Sequence, residues 1–234
     1  MIPSLDGMTG HRDIECILLE RHRAVYVEIP KVACTSIKTV LAELVGVDLS
    51  ETAGNPHEAR WPTPPPASGA GPMFPGLFAF AFVRNPWDRL VSCYRDKILG
   101  EVDGFTYFTI RPGVANCLAR FEAFVAGMAF DEFVRAVASI PDEDADAHFR
   151  SQHSFVTDDD GKLAVDFVGR YERLADDYGA VERRLGMTAI TLPRRQAARV
   201  PADYTAFYTV ETRDIVAGRF ARDCELFGYR FDAC

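Results

Sequence analysis

Residues 30–38, PKVACTSIK, combine lysines with hydroxyl side chains and contain no acidic residue. An apolar run at 24–29 precedes them and is typical of a buried strand, and a helical pattern follows at about 37–45. Such a turn presents backbone N–H groups and the positive end of the helix dipole, which bind anions. Lys31 adds a mobile charge, and Ser36 is the predicted N-cap. The alternative is an ordinary strand-to-helix turn that carries a serine cap.

A second segment, FAFVRNPWDRLVSCYRDK at 80–97, places an arginine at the end of another apolar run. Arg84 follows the predicted strand 77–83, at the edge of the sheet where ligands of open α/β proteins bind. Ser92 lies on the predicted helix 87–99. We predict an anion-binding role for Arg84. The later arginines of this segment are explained equally well by pairing with the acids beside them on a solvated helix face.

The first segment is not the phosphate loop of ATP-binding proteins. That loop has the pattern GxxxxGK[ST], in which glycines let the backbone wrap the phosphates and a lysine directly precedes the hydroxyl residue. Here no glycine lies between residues 30 and 38, and Lys31 precedes Thr35 by four positions. The segment therefore has the features of a phosphate-binding turn, but it lacks those that bind a nucleoside triphosphate.

The elements that must hold these residues alternate along the chain. We predict a third strand at 164–171, and this alternation predicts an α/β fold, a three-layer α/β/α arrangement around a central parallel sheet. The chain is predicted to form a single domain, 1–234, with a proline-rich loop insertion at about 51–76. Further helices are predicted at about 116–126, 131–139, 174–185 and 210–227, and residues 190–207 are predicted to be irregular.

Composition narrows the classes of function. The 234 residues are 48% hydrophobic and 26% charged, which indicates a folded globular protein rather than a disordered chain. A net charge of −8 argues against nucleic acid as a partner. We see no transmembrane segment and no signal peptide, and the six cysteines are scattered singly. We therefore expect reduced thiols and a cytoplasmic location.

The two segments together, in this order, carry a specific resemblance to one family of proteins. PKVACTS resembles the loop that binds the 5′-phosphosulfate in the carbohydrate-type sulfotransferases, the family that includes the chondroitin and HNK-1 sulfotransferases. FAFVRNPWDRLVSCYRDK resembles the 3′-phosphate-binding segment of that family, and both occur in the expected order. Weaker likeness continues through DEFVRAV, DFVGRYERLADDY and ARDCELFGYRF, so that it spans roughly residues 24–231. The resemblance implies a P-loop-like nucleotide-binding fold.

The resemblance also implies a donor, 3′-phosphoadenosine 5′-phosphosulfate (PAPS), with 3′-phosphoadenosine 5′-phosphate (PAP) as the product and no metal. Lys31 would lie near the transferred sulfuryl group. Thr35 and Ser36 would hold the 5′-phosphate together with loop amides, including those of Ala33 and Cys34. The thiol of Cys34 is expected to pack rather than to react.

On the other side of the donor, the resemblance assigns Arg84 and Ser92 to the 3′-phosphate. A guanidinium fork suits a terminal phosphate. The arginines at 194–199, Arg199 among them, form either a solvated loop or a lid over the nucleotide. The family has a basic loop ahead of its last helix that closes on the donor, which favours the lid.

The acceptor hydroxyl needs a general base. His57 lies in the proline-rich segment between the two binding motifs, where related sulfotransferases place a catalytic histidine. His148, in AHFRSQH, is similar to an HWxxQ-type segment of the family that approaches the active site, and Gln152 belongs to the same segment. We expect His57 to be the base and His148 to be the second candidate, and Glu58 is a weaker alternative.

The sequence thus predicts a soluble, bacterial-type sulfotransferase that acts on a hydroxyl of a saccharide, glycolipid or small metabolite. Two other functions stay open. One is an ATP-dependent small-molecule kinase of P-loop-like fold, against which the missing GxxxxGK[ST] counts. The other is a non-catalytic anion-binding or scaffold module, against which Lys31 and the candidate bases count.

Overall fold

A four-stranded sheet forms the centre of the molecule. The computed structural model describes residues 14–65, 73–101, 106–187 and 203–232. The strands lie in the order β1–β2–β3–β4, with β2, β3 and β4 parallel and β1 antiparallel to β2. Their bounds are β1 Cys16–Leu19, β2 Ala24–Val27, β3 Phe78–Val83 and β4 Phe167–Arg170.

The central strand β3 is covered on both faces. Its sequence, FAFAFV, has five consecutive buried residues, whereas a strand with one wet face would alternate. Phe82 lies opposite Gly169 of β4, and a Cβ at Gly169 would stand 2.4 Å from the Phe82 ring. The glycine therefore leaves the space that this ring occupies.

Helices flank the sheet and connect its strands. Their bounds are α1 Cys34–Val45, α2 Pro86–Lys97, α3 Phe130–Ser139, α4 His153–Val156, α5 Leu174–Leu185, α6 Val210–Arg219 and α7 Ala221–Phe227. A second apolar cluster, centred on α2, α3 and α6, adjoins the cluster that packs on the sheet. Among the described residues, no helix combines the length and the apolar run that crossing a bilayer requires.

The α/β fold class is confirmed, and three details of the prediction are wrong. The sheet is mixed, because β1 pairs antiparallel with β2 through the 3-10 turn Glu20–His22. The helix predicted at 116–126 is only a 3-10 turn, Asn116–Leu118. The last helix breaks at Phe220 into α6 and α7. The division into one domain stays a prediction.

Candidate active site

The loop after β2 has an unusual backbone. Lys31 and Ala33 both adopt positive φ, 70° and 53°, a region that residues with a Cβ adopt at a cost of about 1 kcal/mol or more each. Helix α1 then begins at Cys34, with Ala33 at the N-cap position. Ser36 is therefore buried in the first turn and is not the cap that the sequence predicted. Strain of this kind persists where the surrounding structure holds the backbone in one shape.

A cavity of about 510 Å³ opens beyond the carboxyl end of β2. Its walls come from the residue before β1, the loop after β2, the first turn of α1, the last turn of α2, helix α4 and three further loops. Of the residues that sequence reasoning selected, six lie on these walls: Lys31, Cys34, Thr35, His57, Glu58 and His148. Three segments separated by up to about a hundred residues in the chain therefore meet at one concave surface.

His57 contacts the loop directly. Its Nε2 lies 2.8 Å from Oγ1 of Thr35, and its Nδ1 lies 3.7 Å from Oε1 of Glu28. This arrangement fits the tautomer that carries its proton on Nδ1, toward the carboxylate, and accepts from Thr35 at Nε2. Burial lowers the pKa of His57, although the Glu28 carboxylate opposes that effect. The ring is therefore neutral at pH 7.

Glu28 is a buried carboxylate that the sequence analysis did not select. It is 4% exposed and forms an ion pair with Lys38, which also binds Glu15 at 3.1 Å. Burial raises the pKa of Glu28, with Cys34 adding to the effect, while the ammonium of Lys38 opposes it and favours the charged carboxylate. A single acid at the end of an apolar strand, VYVEIP, is the signal that could have identified it.

His148 lies on another wall of the same cavity. Its Nδ1 is 2.6 Å from Oδ1 of Asp146, and the backbone N–H of His148 donates to the same oxygen at 3.0 Å. The carboxylate thus fixes the orientation of the ring and leaves Nε2 as its other functional atom. Burial, and after it the ammonium of Lys97, lower the pKa of His148.

Lys31 is held at the wall by an ion pair. Its Nζ donates to Oδ2 of Asp96, in the last turn of α2, at 2.6 Å. Burial opposes ionisation of Asp96, yet the ammonium groups of Lys31 and Lys97 lower the pKa of its carboxyl group. Neither Asp96 nor Lys97 was assigned a role from the sequence, because charges on a helix are usually read as a solvated face.

Arg84 contacts the loop but does not line the cavity. Its Nε donates to Asp88 at 2.7 Å, its Nη1 donates to the backbone oxygen of Lys31 at 3.1 Å, and its guanidinium lies over the Tyr171 ring. Gln152, fully buried, accepts from the N–H of Arg84 at 2.9 Å and donates to its carbonyl at 2.8 Å. Arg84 is thus fixed on both its backbone and its side chain.

Three other selected residues lie elsewhere. Ser92 is half-buried on α2, and it does not line the cavity; nor do Ala33 and Ser36. The basic segment at 194–199, with Arg199, falls outside the described residues.

Among the residues that the structure describes, two groups of side chains at or beside the cavity offer potential metal ligands. Their members are Glu28, Cys34 and His57 in one group and Cys117, Asp146 and His148 in the other. In both groups the histidine has a protein partner, as described above. That the reaction needs no metal stays a prediction.

Comparison with known proteins defines the class of this protein. The sulfotransferase family model matches residues 15–230, so the chain belongs to the sulfotransferase family. The resemblance stated from the two sequence segments is confirmed. No solved structure matches this chain.

Among curated proteins the chain is similar to carbohydrate sulfotransferases. It is 27% identical over 229 residues to carbohydrate sulfotransferase 14 of Danio rerio, covering 90% of this chain and 60% of that protein. It is 30% identical over 208 residues to carbohydrate sulfotransferase 14 of Mus musculus, covering 80% and 50%. Carbohydrate sulfotransferase 10 of Homo sapiens is 25% identical over 234 residues, covering 90% and 65%. The chain thus spans about half to two thirds of the length of these relatives.

Proposed function

We propose that this protein transfers the sulfuryl group of PAPS to a hydroxyl group of a saccharide. One observation carries the proposal: Lys31, Thr35 and two histidines meet at a single cavity beside the loop after β2. A cation, a hydroxyl donor and a neutral base within one concave site are what in-line transfer to a hydroxyl requires. The names of the similar curated proteins support the saccharide as acceptor.

The loop suits the phosphosulfate end of the donor. PAPS supplies an activated sulfuryl group that is joined through oxygen to its 5′-phosphate. The amides in the first turn of α1, at the positive end of the helix dipole, would face this group. Thr35 adds a hydroxyl, and Lys31 adds a charge that its ion pair with Asp96 keeps at the cavity wall. The residues present therefore fit an anionic group here.

At the other end of the donor, Arg84 is the residue proposed to bind the 3′-phosphate. Arg84 is 13% exposed in its side chain and already pairs with Asp88, so the phosphate would have to share the guanidinium or replace that carboxylate. Such an exchange is favourable for a doubly charged phosphate, which takes a guanidinium fork more strongly than a single carboxylate does. Ser92 on α2 remains the proposed second ligand.

We assign the general base to His57. It is neutral, it touches Thr35, and its ring faces the loop that would hold the sulfuryl group. Accepting the acceptor's proton at Nε2 requires the ring to exchange its bond with Thr35 for one with the acceptor hydroxyl. His148 is proposed to orient the acceptor from its own place on the cavity wall. A cytoplasmic location and a glycolipid or small-metabolite acceptor remain open parts of the same proposal.

The decisive experiment offers both donors to one panel of acceptors. Neutral and uronic-acid-containing oligosaccharides are incubated with the protein and either PAPS or ATP, and the products are analysed by mass spectrometry. We expect the mass gain of one sulfo group with PAPS and no phosphorylation with ATP. Phosphoryl transfer from ATP would identify a kinase instead. Tight binding of PAP with no transfer to any acceptor would favour a non-catalytic module.

A further inference from the structure

The last turn of α2 holds a lysine, Lys97, that the proposed mechanism leaves unused. Oδ2 of Asp96 accepts from Nζ of Lys31 at 2.6 Å and lies 3.0 Å from Nζ of Lys97. Oδ1 of Asp96 accepts from Thr106 at 2.6 Å, and Lys97 donates to the same hydroxyl at 3.1 Å. Two ammonium groups therefore share one carboxylate oxygen at the wall of the cavity.

This cluster has a surplus of positive charge. Two ammonium groups face one carboxylate, and the side chains of Lys31, Asp96 and Lys97 are only 8%, 5% and 11% exposed. Burial opposes the charged form of Lys97, yet Asp96 raises the pKa of that ammonium. Two like charges this close and this buried are costly unless an anion completes the site. At this place on the wall, the two ammonium groups outnumber their carboxylate partner, which favours an anionic ligand beside them.

The surplus charge lies where transfer would occur. Lys31 belongs to the loop proposed to hold the phosphosulfate, and Lys97 lies beside it on the shared oxygen. Lys97 and His148 line the same cavity as Lys31. Lys97 therefore lies at the cavity shared by the loop and the histidine proposed to orient the acceptor.

We propose that Lys97 is a second sulfuryl-binding ammonium and that Asp96 is the positioning residue that holds Lys31 and Lys97 side by side. The inference rests on the proposed function. During transfer, the acceptor oxygen forms a bond to sulfur while the bond from sulfur to the 5′-phosphate oxygen breaks. The electron pair leaves with that phosphate oxygen, and the acceptor proton moves to His57. The two ammonium groups stabilise the negative charge on the sulfuryl oxygens and on the departing oxygen.

The test uses the difference between donor and product. PAP lacks the sulfuryl group. Replacing a residue that contacts only that group should therefore weaken PAPS binding and lower turnover, but it should not change PAP binding. We expect Lys97→Met, of similar length and without charge, to lower kcat about 10²-fold and to weaken PAPS binding while PAP binding stays as in the wild type. Lys97→Arg should restore part of the turnover, since it returns a cation to the position.

Two further variants control for folding. Arg95 lies next to Asp96 on α2 but pairs with Glu101 on the outer side, so Arg95→Met should leave kcat unchanged. Lys97→Gln keeps an N–H donor for Asp96 and Thr106, which preserves the cluster if Lys97→Met melts early. The melting temperature of each variant is measured in parallel with its kinetics.

The outcomes separate this inference from the function on which it rests. If the wild-type protein binds neither PAPS nor PAP, the proposed function fails. If the wild type transfers sulfo groups and both Lys97→Met and Lys97→Gln do so equally well, only the role of Lys97 is wrong. If these variants bound PAPS and PAP equally more weakly, the proposed role of Lys97 would also be wrong, because Lys97 would then give only general electrostatic or structural support.

Discussion

At the residue scale, the two histidines of the cavity differ in how they are held. His57 contacts the loop through Thr35, whereas His148 is fixed by Asp146 on the other wall. A positioned base contributes about 10²–10⁴-fold to proton transfer. We therefore predict that His57→Ala lowers kcat within that range and leaves PAP binding intact. His148→Ala should mainly raise the KM of the acceptor, and the reverse pattern would exchange the two roles.

His57, as the proposed base, is expected to set the acidic side of the pH–rate profile. A protonated imidazole cannot accept a proton, so activity falls as pH drops through the pKa of the base. Because burial lowers the pKa of His57, kcat/KM should begin to fall only below the ordinary histidine value of about 6.5. His57→Ala should remove this acidic limb. An acidic limb that persists in the variant would assign it to another group.

Lys31 offers a separate test of transition-state stabilisation. Its ammonium is expected to act on charge that develops during transfer, so Lys31→Ala should lower turnover about 10²–10³-fold. Affinity for PAP should change far less, and Lys97 still compensates Asp96 in this variant. Lys162→Ala, at an exposed ammonium, serves as the control. If donor affinity collapsed while turnover per bound donor stayed intact, Lys31 would be a binding residue only.

At the scale of elements, Gln152 joins the segment before α4 to the end of β3. Its amide makes two hydrogen bonds to the backbone of Arg84, in a position from which water is excluded. Gln152→Met keeps the volume and removes both bonds, which leaves a buried N–H and a buried carbonyl without their partner. We predict a loss of about 2–4 kcal/mol in the free energy of unfolding, measured by urea denaturation. A loss below about 0.5 kcal/mol, typical of surface substitutions, would contradict this.

Some elements could be predicted from the sequence and others could not. Continuous apolar runs predicted β2 and β3, because a strand that is covered on both faces has apolar residues at nearly every position. Strand β1 was missed because its hairpin turns through Arg23, at φ 50°, with no glycine to mark it. The helix predicted at 116–126 failed because Leu118 and Phe124 reach the core from successive turns rather than from one helical face.

The site could be predicted only in part, for a related reason. Motif order along the chain brought His57 and His148 to attention, and the structure places both on the cavity. The acids that hold the site, among them Glu28, Asp96 and Asp146, gave weaker signals. Their importance depends on which partner tertiary packing brings to them, and a helix-face or loop acid carries no mark of that partner in sequence.

At the scale of the whole molecule, the charge distribution is compatible with the anionic donor that we propose. The chain carries a net charge of −8, yet Lys31 and Lys97 place two ammonium groups on the single carboxylate of Asp96 at the cavity wall. Local charge, rather than net charge, determines what such a site binds at short range. A ligand that binds there stabilises the folded state by mass action.

The proposed donor site is tested most directly by comparing the melting temperatures of the protein with PAP and with AMP. These ligands differ only in the 3′-phosphate, which Arg84 and Ser92 are proposed to bind. PAP at about a hundred times its Kd should stabilise the fold by about 2.7 kcal/mol, an increase of roughly 5–11 °C in Tm. AMP at the same concentration should raise Tm far less, and Arg84→Met should remove the difference. Equal stabilisation by AMP and PAP would contradict the assignment of the donor site.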